Sequence, residues 1–149
     1  MNPAYRNLFE PIRICKLEIK NRFNMAPMGT IGLSEADGSF GPNAVEYYVE
    51  RAKGGIGFIT TGICAVQNEI EKLPLPSRPI PTLNPPAFLR TSAVMTERVH
   101  AYGAKVFLML TAGFGRVAIP WVLAGDKVAP SEFENRFDPG IMHRALTVE

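Results

Sequence analysis

Two short segments carry the residue types from which a ligand site could be built. Thr111–Arg116 directly follows an apolar run, and its two glycines let backbone approach a flat ligand while the arginine offers a fixed fork of donors to an anion or carbonyl. Asn24–Thr30 ends an earlier apolar run with small and unbranched residues, which leaves backbone amides able to hydrogen-bond a ring system. Each segment alone is weakly specific, since glycine-bearing turns of this kind are common.

The remaining polar residue types do not converge on a catalytic group. His100 stands among surface-type residues of a predicted helix, and His143 is too close to the end of the sequence for its environment to be inferred. Glu132, Glu134 and Asp138 fall in a polar loop, which gives none of the burial that acid–base catalysis requires. The sequence therefore offers no candidate acid, base or nucleophile.

Glycines and methionines elsewhere have structural interpretations. Gly54–Gly57 precedes a predicted strand, whereas a dinucleotide phosphate loop needs strand, glycines and helix in that order. This cluster is interpreted as a helix C-cap and a tight helix-to-strand turn. Met25, Met28, Met95 and Met109 are interpreted as core filler rather than as a cofactor box.

The elements that must position the two segments begin with a hairpin. Residues 11–19 alternate apolar and polar around Cys15-Lys16, which predicts two strands with one buried face, placed as a cap outside the main fold. Residues 22–28 predict a first strand that ends at Pro27. Pro42–Ala52 predicts a helix that tolerates proline in its first turn. The apolar residues of that helix are Val45, Tyr48, Val49 and Ala52.

The same order then repeats. Gly57–Gly62 predicts a second strand, buried on both faces, and the prolines between residues 74 and 86 predict a long loop without regular structure. Ala87–Tyr102 predicts a second helix closed by Gly103, and Lys105–Leu110 predicts a third buried strand. The apolar residues of the second helix are Phe88, Val94, Met95 and Val99.

Strands that alternate with helices indicate a parallel sheet with right-handed crossovers. An open doubly wound sheet and a piece of a (β/α)₈ barrel both have this order, and periodicity alone does not separate them. The connections from helix into strand are a glycine or two long, whereas the long loops at 29–43, 62–84 and 111–149 follow strands. Functional groups are therefore expected at the C-terminal ends of the strands.

Composition excludes several classes of function. The 149 residues are 46% hydrophobic and carry a net charge of +2, which suits a globular domain and gives no footprint for nucleic acid or a membrane surface. Cys15 and Cys64 stand far apart without a CxxC pair, so neither a metal site nor a disulfide is indicated, and a cytoplasmic location is expected. No apolar run approaches the roughly 20 residues of a spanning helix.

Taken together, these segments resemble the old yellow enzyme family of NADH:flavin oxidoreductases, in particular its 2-enoate, 2,4-dienoyl-CoA and bile-acid-type reductase branch. The likeness runs nearly end to end, and several segments in the right order are more specific than any one of them. The matching segments are Leu8–Ile12 with Leu17–Arg22 for the opening hairpin, Asn24–Met28 and Gly55–Gly62 for the first two barrel strands, Leu110–Arg116 for the third-strand motif and Ala129–Ser131 for the segment after it.

The resemblance implies a TIM (β/α)₈ barrel of the FMN-linked oxidoreductase type. Such a barrel holds FMN at its mouth and, as an ene-reductase, passes hydride from NAD(P)H through the flavin to an activated C=C bond of an enoate or enone. The small unsaturated substrate is then the expected partner, with no nucleic acid and no membrane. The cofactor-binding residues that the resemblance implies are Ala26, Pro27, Met28, Gly29, Ile63, Met109 and Arg116.

These residues would act in different ways. The four that follow the first strand would line the flavin ring through backbone groups, and Ile63 would lie beside the ring, also mainly through backbone. Met109 takes the place at which most relatives have a glutamine toward the pyrimidine edge of the flavin, and a thioether has no amide to offer there. Arg116 keeps the family pattern and would help to order the loop over the site.

The resemblance also implies that residues 1–149 are the N-terminal portion of this barrel domain, with the hairpin cap and only the first three to four βα units. The family's substrate-anchoring pair, His/Asn or His/His, and its tyrosine proton donor come from later segments, and no catalytic residue is carried over. An iron–sulfur cluster and FAD belong to longer relatives. Activity is expected to require the missing C-terminal part. The alternative is a non-catalytic truncated barrel that self-associates, as a homo-oligomer, or needs a partner chain.

Overall fold

The computed structural model describes residues 2–29, 32–66, 71–72, 78–121 and 124–147. The chain divides into two compact units, Met1–Cys64 with Ser77–Met109 and Ala65–Pro76 with Leu110–Glu149. Every helix in the described ranges is too short or too polar to cross a bilayer.

The first unit opens with a 3₁₀ helix, Pro3–Leu8, and a hairpin. Strands β1 (Ile12–Ile14) and β2 (Leu17–Ile19) pair antiparallel in a sheet of their own. Cys15 makes the turn in the left-handed region, at φ 53°. The predicted hairpin is confirmed, but its buried face is reduced to Ile19, the one hairpin residue that the structure buries fully.

The central sheet contains the three predicted strands in chain order. After β3 (Asn24–Met25) and β4 (Phe58–Ala65), a two-residue strand β5 (Glu71–Lys72) precedes β6 (Lys105–Thr111). β3, β4 and β6 are neighbours in that order, and β3 pairs with β4 in parallel. β3 is shorter than predicted because Pro27 has no N–H for a ladder. β4 runs three residues further than predicted, and these added residues are buried or partly buried, as in the rest of the strand.

Two helices connect these strands. α1 (Pro42–Lys53) starts at its proline as predicted, and its predicted apolar face is buried. α2 (Pro85–His100) starts two residues before the prediction, so the expectation of irregular structure through residue 86 is wrong. Proline needs no N–H partner in a first turn, and the Asn84 side chain caps the helix by accepting from the Ala87 amide at 3.3 Å. Val94, expected on the buried face, is exposed because it lies one residue, about 100° of rotation, from buried Met95.

The core of the first unit joins α1, α2 and β4. Phe40 is its centre, with its ring 6.2 Å from the Tyr48 ring and 5.2 Å from the Phe88 ring. The Phe40 amide donates to Thr91 Oγ1 on α2 at 3.2 Å. On the surface, Arg98 of α2 forms a two-pronged ion pair with Glu46 of α1. These contacts hold the two helices in place. They therefore also hold the residues of α1 that face the sheet.

β6 differs from the prediction of a buried strand. Leu108 is 43% exposed and Leu110 is 56% exposed. Leu108 and Leu110 are two residues apart and therefore lie on one face of the strand, and the described elements leave that face uncovered. β6 also ends the order of the central sheet, with β4 as its one neighbour among the described strands.

The second unit overturns the prediction of a continuous loop after the third strand. It contains a 3₁₀ turn, Gly115–Val117, and four short strands. The strands are β7 (Ala124–Gly125), β8 (Val128–Ala129), β9 (Phe133–Glu134) and β10 (Met142–Ala145). β10 pairs in parallel with β8 and antiparallel with β9, while β7 pairs antiparallel with β5. Strands this short leave no periodicity in the sequence.

Candidate functional site

The turn that follows β3 lies directly against β4 at Gly62. A side chain at Gly62 would overlap the carbonyl oxygen of Met28, and its Cβ would lie 3.0 Å from the Met28 carbonyl carbon and 3.3 Å from Gly29 Cα. Only glycine leaves room for so close a backbone approach. The ends of β3 and β4 are therefore packed together.

The other side of this turn is open. Ala26, Pro27, Met28 and Gly29 are all exposed, and Met28 is 57% exposed. A Cβ built on Gly29 meets nothing within 4 Å. The interpretation of Met28 as core filler is wrong, because the chain leaves the sheet where β3 ends at Met25 and the Met28 side chain is exposed.

Two tyrosines of α1 support the strand ends. The Tyr48 hydroxyl accepts a hydrogen bond from the Gly62 amide at 2.9 Å, and the Tyr47 hydroxyl donates to the Met28 thioether at 3.6 Å. Burial raises the pKa of Tyr48, so its phenol stays protonated at neutral pH. The sequence placed Tyr48 only on an apolar face; the signal available was that a buried tyrosine hydroxyl normally finds a partner.

The adjoining residues of β4 and β6 are also uncharged. Ile63 and Met109, both implied by the resemblance, are partly buried. The Met109 amide donates to Thr61 Oγ1 at 3.1 Å, which links β6 to β4 at this end of the sheet. Burial raises the pKa of the Cys64 thiol to about 11. These strand ends can bind a ligand through backbone and apolar groups but offer no proton donor or acceptor that titrates near neutral pH.

Arg116 lies in the second unit, on the 3₁₀ turn. Its side chain is exposed, with the guanidinium carbon 5.9 Å from the centre of the Phe133 ring. Its carbonyl accepts from the Arg136 amide at 3.0 Å. Arg116 therefore helps to hold the loop between β6 and β9.

A buried polar cluster in the second unit was not foreseen from the sequence. Asn135 Oδ1 accepts from the amides of Phe137 and Asp138, so its Nδ2 must be the atom that contacts the Ala118 carbonyl at 2.6 Å and His143 Nε2 at 2.9 Å. His143 Nε2 then accepts, which puts the ring proton on Nδ1, an atom that has no partner among the described residues. His143 is fully buried and serves the fold of this unit.

A cleft of about 740 Å³ lies elsewhere in the first unit. Its walls come from α1, α2 and the loop before α1, and include Phe40, Val45 and Arg90. None of the strand-end residues lines it. Among the residues that the structure describes, no three His, Cys, Asp or Glu side chains gather as a metal site would require.

The open turn is the part of the first unit that fits a flat cofactor. Its residues are small or unbranched and uncharged, and a Cβ built on Gly29 has none of the described residues within 4 Å apart from its chain neighbours. Backbone amides and carbonyls at such a strand end can meet the polar edge of a ring while its face lies on apolar groups. The fold defines an α/β protein in which this candidate site lies at the C-terminal ends of parallel strands.

Comparisons with known proteins agree with this class. The model of the NADH:flavin oxidoreductase / NADH oxidase family matches residues 7–136. The chain is 57% identical over its whole length to a cinnamate reductase of Clostridium sporogenes, of which it spans 22%. It is 35% identical over 146 residues to an NADH oxidase of Thermoanaerobacter brockii, covering 97% of this chain and 21% of that protein.

A solved structure gives the same answer. The old yellow enzyme homologue from Zymomonas mobilis aligns with a TM-score of 0.67 at 27% identity, over 95% of this chain and 40% of that one. The chain belongs to the NADH:flavin oxidoreductase / NADH oxidase family. The predicted resemblance is confirmed, and the fold corresponds to part of an old yellow enzyme TIM barrel. The number of βα units and the single-domain boundary 1–149 stay predictions.

Proposed function

We propose that this chain forms part of an FMN cradle in an NAD(P)H-dependent ene-reductase. The observation that carries the proposal is the exposed turn Ala26–Gly29, held against Gly62 at the strand ends of a chain from a flavin oxidoreductase family. The matches favour this hypothesis over a non-catalytic barrel fragment, since the relatives are named as reductases and oxidases.

Each cofactor-binding residue has a proposed role. The turn presents backbone to the flavin ring, Ile63 lies beside the ring, and Arg116 orders the loop after β6. Met109 offers a thioether, which is a weak acceptor and no donor, so the backbone has to supply the polar contacts at this edge. FMN, when bound, supplies hydride transfer from NAD(P)H to an activated C=C bond. The name of the Clostridium relative, a cinnamate reductase, supports an enoate substrate.

The proton chemistry is proposed to come from other parts of the complete barrel. Tyr48 and Cys64 are buried and both contact the backbone of Gly62, at 2.9 and 3.6 Å, so neither side chain faces the open turn as a proton donor would. The chain spans about a fifth of the length of the two reductase and oxidase relatives above. Activity is therefore proposed to need barrel residues beyond these 149.

A graft tests the proposal directly. These 149 residues replace the matching segment of the Clostridium sporogenes cinnamate reductase, with which they align over their whole length. We expect the purified graft to contain FMN, measured by absorbance and mass spectrometry, and to reduce cinnamate with NADH or NADPH. A folded graft without flavin would contradict the proposal.

A variant of the graft tests the position of the ring. Gly29→Leu places a side chain beside the turn, on a side where the described part of the chain has no atom within 4 Å of the added Cβ. We expect most of the flavin to be lost, while the melting temperature of the flavin-free protein stays that of the flavin-free unsubstituted graft. Ala93→Leu, on an exposed part of α2, is the matched control and should keep its flavin. Equal flavin content in both variants would place the ring elsewhere.

A further inference from the structure

Three contacts converge on the backbone of Gly62. Its N–H donates to Tyr48 Oη at 2.9 Å, and its carbonyl oxygen lies 3.6 Å from Cys64 Sγ as an acceptor. Its bare Cα is the surface against which the Met28 backbone rests. Since the N–H and carbonyl of Gly62 both have partners and its Cα is covered by the Met28 backbone, Gly62 is fixed in position. It in turn fixes the backbone of Met28.

Tyr48 makes its contact from a different element. It lies on α1, fourteen residues before Gly62, and its side chain is 2% exposed. The rings of Phe40 and Tyr47 pack against its ring at 6.2 and 5.3 Å. This packing leaves the phenol one orientation, with its hydroxyl on β4. The strand end is thereby tied to the core of the first unit.

The neighbouring Tyr47 makes a separate contact with the same turn. Its hydroxyl reaches the Met28 thioether at 3.6 Å, and the Arg51 guanidinium lies over its ring, 3.3 Å from the centre. Tyr47 thus contacts the side chain of Met28, whereas Tyr48 acts on the backbone of Met28 through Gly62. The two tyrosines differ in which part of the turn they can affect.

We infer that Tyr48 is a positioning residue for the proposed flavin cradle, acting through the Gly62 peptide to set the backbone of Met28 and Gly29. This inference rests on the proposed function. Tyr48 does not touch the cofactor in this scheme. Its hydroxyl accepts the Gly62 N–H, and the loss of that acceptor leaves a buried donor unpaired and the strand end loose under the turn.

The first test is made on the 149-residue chain. In Tyr48→Phe, the amide of Gly62 should exchange with deuterium at least tenfold faster relative to the amides of α2, because it has lost its acceptor. The methyl resonance of Met28, one of six methionines, should shift. Tyr5→Phe, at a 57% exposed tyrosine, is the matched control and should change neither signal. Unchanged Gly62 exchange in Tyr48→Phe would overturn the inference.

The second test is made on the graft. Tyr48→Phe should weaken FMN binding about tenfold and shift the flavin midpoint potential, whereas Tyr47→Phe should move the Met28 methyl resonance with a smaller effect on FMN. If Tyr48→Phe proves too unstable to purify, Cys64→Ala takes its place. It removes the contact with the Gly62 carbonyl and should also weaken FMN binding.

The two proposals fail in different ways. An unsubstituted graft without flavin would overturn the proposed function, and the inference with it. A graft that binds FMN with the same Kd and midpoint potential in its Tyr48→Phe and Tyr5→Phe forms would overturn the inference alone. Equal effects of Tyr48→Phe and Tyr47→Phe on FMN would also overturn it, since only Tyr48 reaches the backbone that holds the turn.

Discussion

At the level of single residues, two glycines on either side of one turn meet opposite environments. The Gly62 Cα faces the Met28 backbone with no room for a methyl group, whereas Gly29 faces open space. Gly62→Ala should therefore destabilise the chain by about 1–3 kcal/mol, because backbone rather than a flexible side chain has to move. Urea unfolding followed by circular dichroism measures the change.

Gly29→Ala is the control for that measurement. Gly29 is outside the left-handed region of φ, so alanine brings no strain there. We expect its unfolding midpoint to stay close to that of the unsubstituted chain. If Gly29→Ala were as destabilising as Gly62→Ala, the cost would come from glycine flexibility in general and not from the contact with Met28.

The buried thiol of Cys64 predicts a loss of stability in alkali. Its pKa is raised by burial from 9.0 to about 11, so the unfolded chain loses the thiol proton at a lower pH than the folded chain. Stability should be intact below pH 9 and fall as the pH rises toward about 11, by on the order of 2–3 kcal/mol. The raised pKa of Tyr48 adds to the fall in the same direction.

Cys64→Val isolates the thiol in this experiment. Its urea midpoint, compared with that of the unsubstituted chain across the alkaline range, should fall less steeply by the share that Cys64 contributes. An identical pH dependence in both proteins would show that the thiol is not the group responsible.

The residues near the site show what sequence can and cannot supply. The apolar spacing of α1 correctly predicts that Tyr48 is buried. The hydrogen bond between Tyr48 and Gly62 joins residues fourteen apart on different elements, and no periodicity encodes that pairing. Met28 was misplaced because its hydrophobicity says nothing about a chain that turns out of the sheet. The choice of cofactor-binding residues came from the family resemblance and stays a prediction.

At the level of elements, long periodic segments were predictable and short ones were not. Both helices and all three central strands were located from spacing alone, with ends shifted by up to three residues. The start of α2 was missed because two prolines were interpreted as breakers, although a first turn accepts them. The second unit was missed because strands of two to four residues carry no repeat to detect.

The second unit depends on one side chain that joins its loops. Asn135 accepts from two amides and donates to Ala118 and His143. Asn135→Ala leaves these buried groups unpaired and should cost about 2 kcal/mol or more. Hydrogen exchange should accelerate at the amides of Phe137 and Asp138, while those of α1 keep their protection. Asn43→Ala, at an exposed position, is the control, and loss of protection throughout the chain would contradict a local role.

At the level of the whole molecule, the central sheet and the family agree on a parallel α/β arrangement. The order β3, β4, β6 with a helix in each connection is the order of successive strands in a TIM barrel. In a closed barrel each strand has two neighbours, and the described part of this sheet gives β6 one. The far edge of β6 is therefore unpaired in the described part of the sheet.

An apolar edge strand predicts association of the 149-residue chain with itself. Leu108 and Leu110 are 43% and 56% exposed on β6, and such an edge pairs readily with another chain. Light scattering coupled to size exclusion should show a mass that rises with concentration. Leu110→Lys should reduce this association severalfold, because a charge on an edge strand opposes pairing.

Leu89→Lys distinguishes pairing through the β6 edge from association through any exposed apolar surface. Leu89 is 67% exposed on α2, more than Leu110, so the same substitution there removes at least as much exposed apolar surface without touching the sheet edge. If association proceeds through β6, Leu89→Lys leaves it nearly unchanged. If Leu110→Lys and Leu89→Lys reduced self-association equally, association would depend on exposed apolar surface in general. The β6 edge would then be no more than one exposed patch among several.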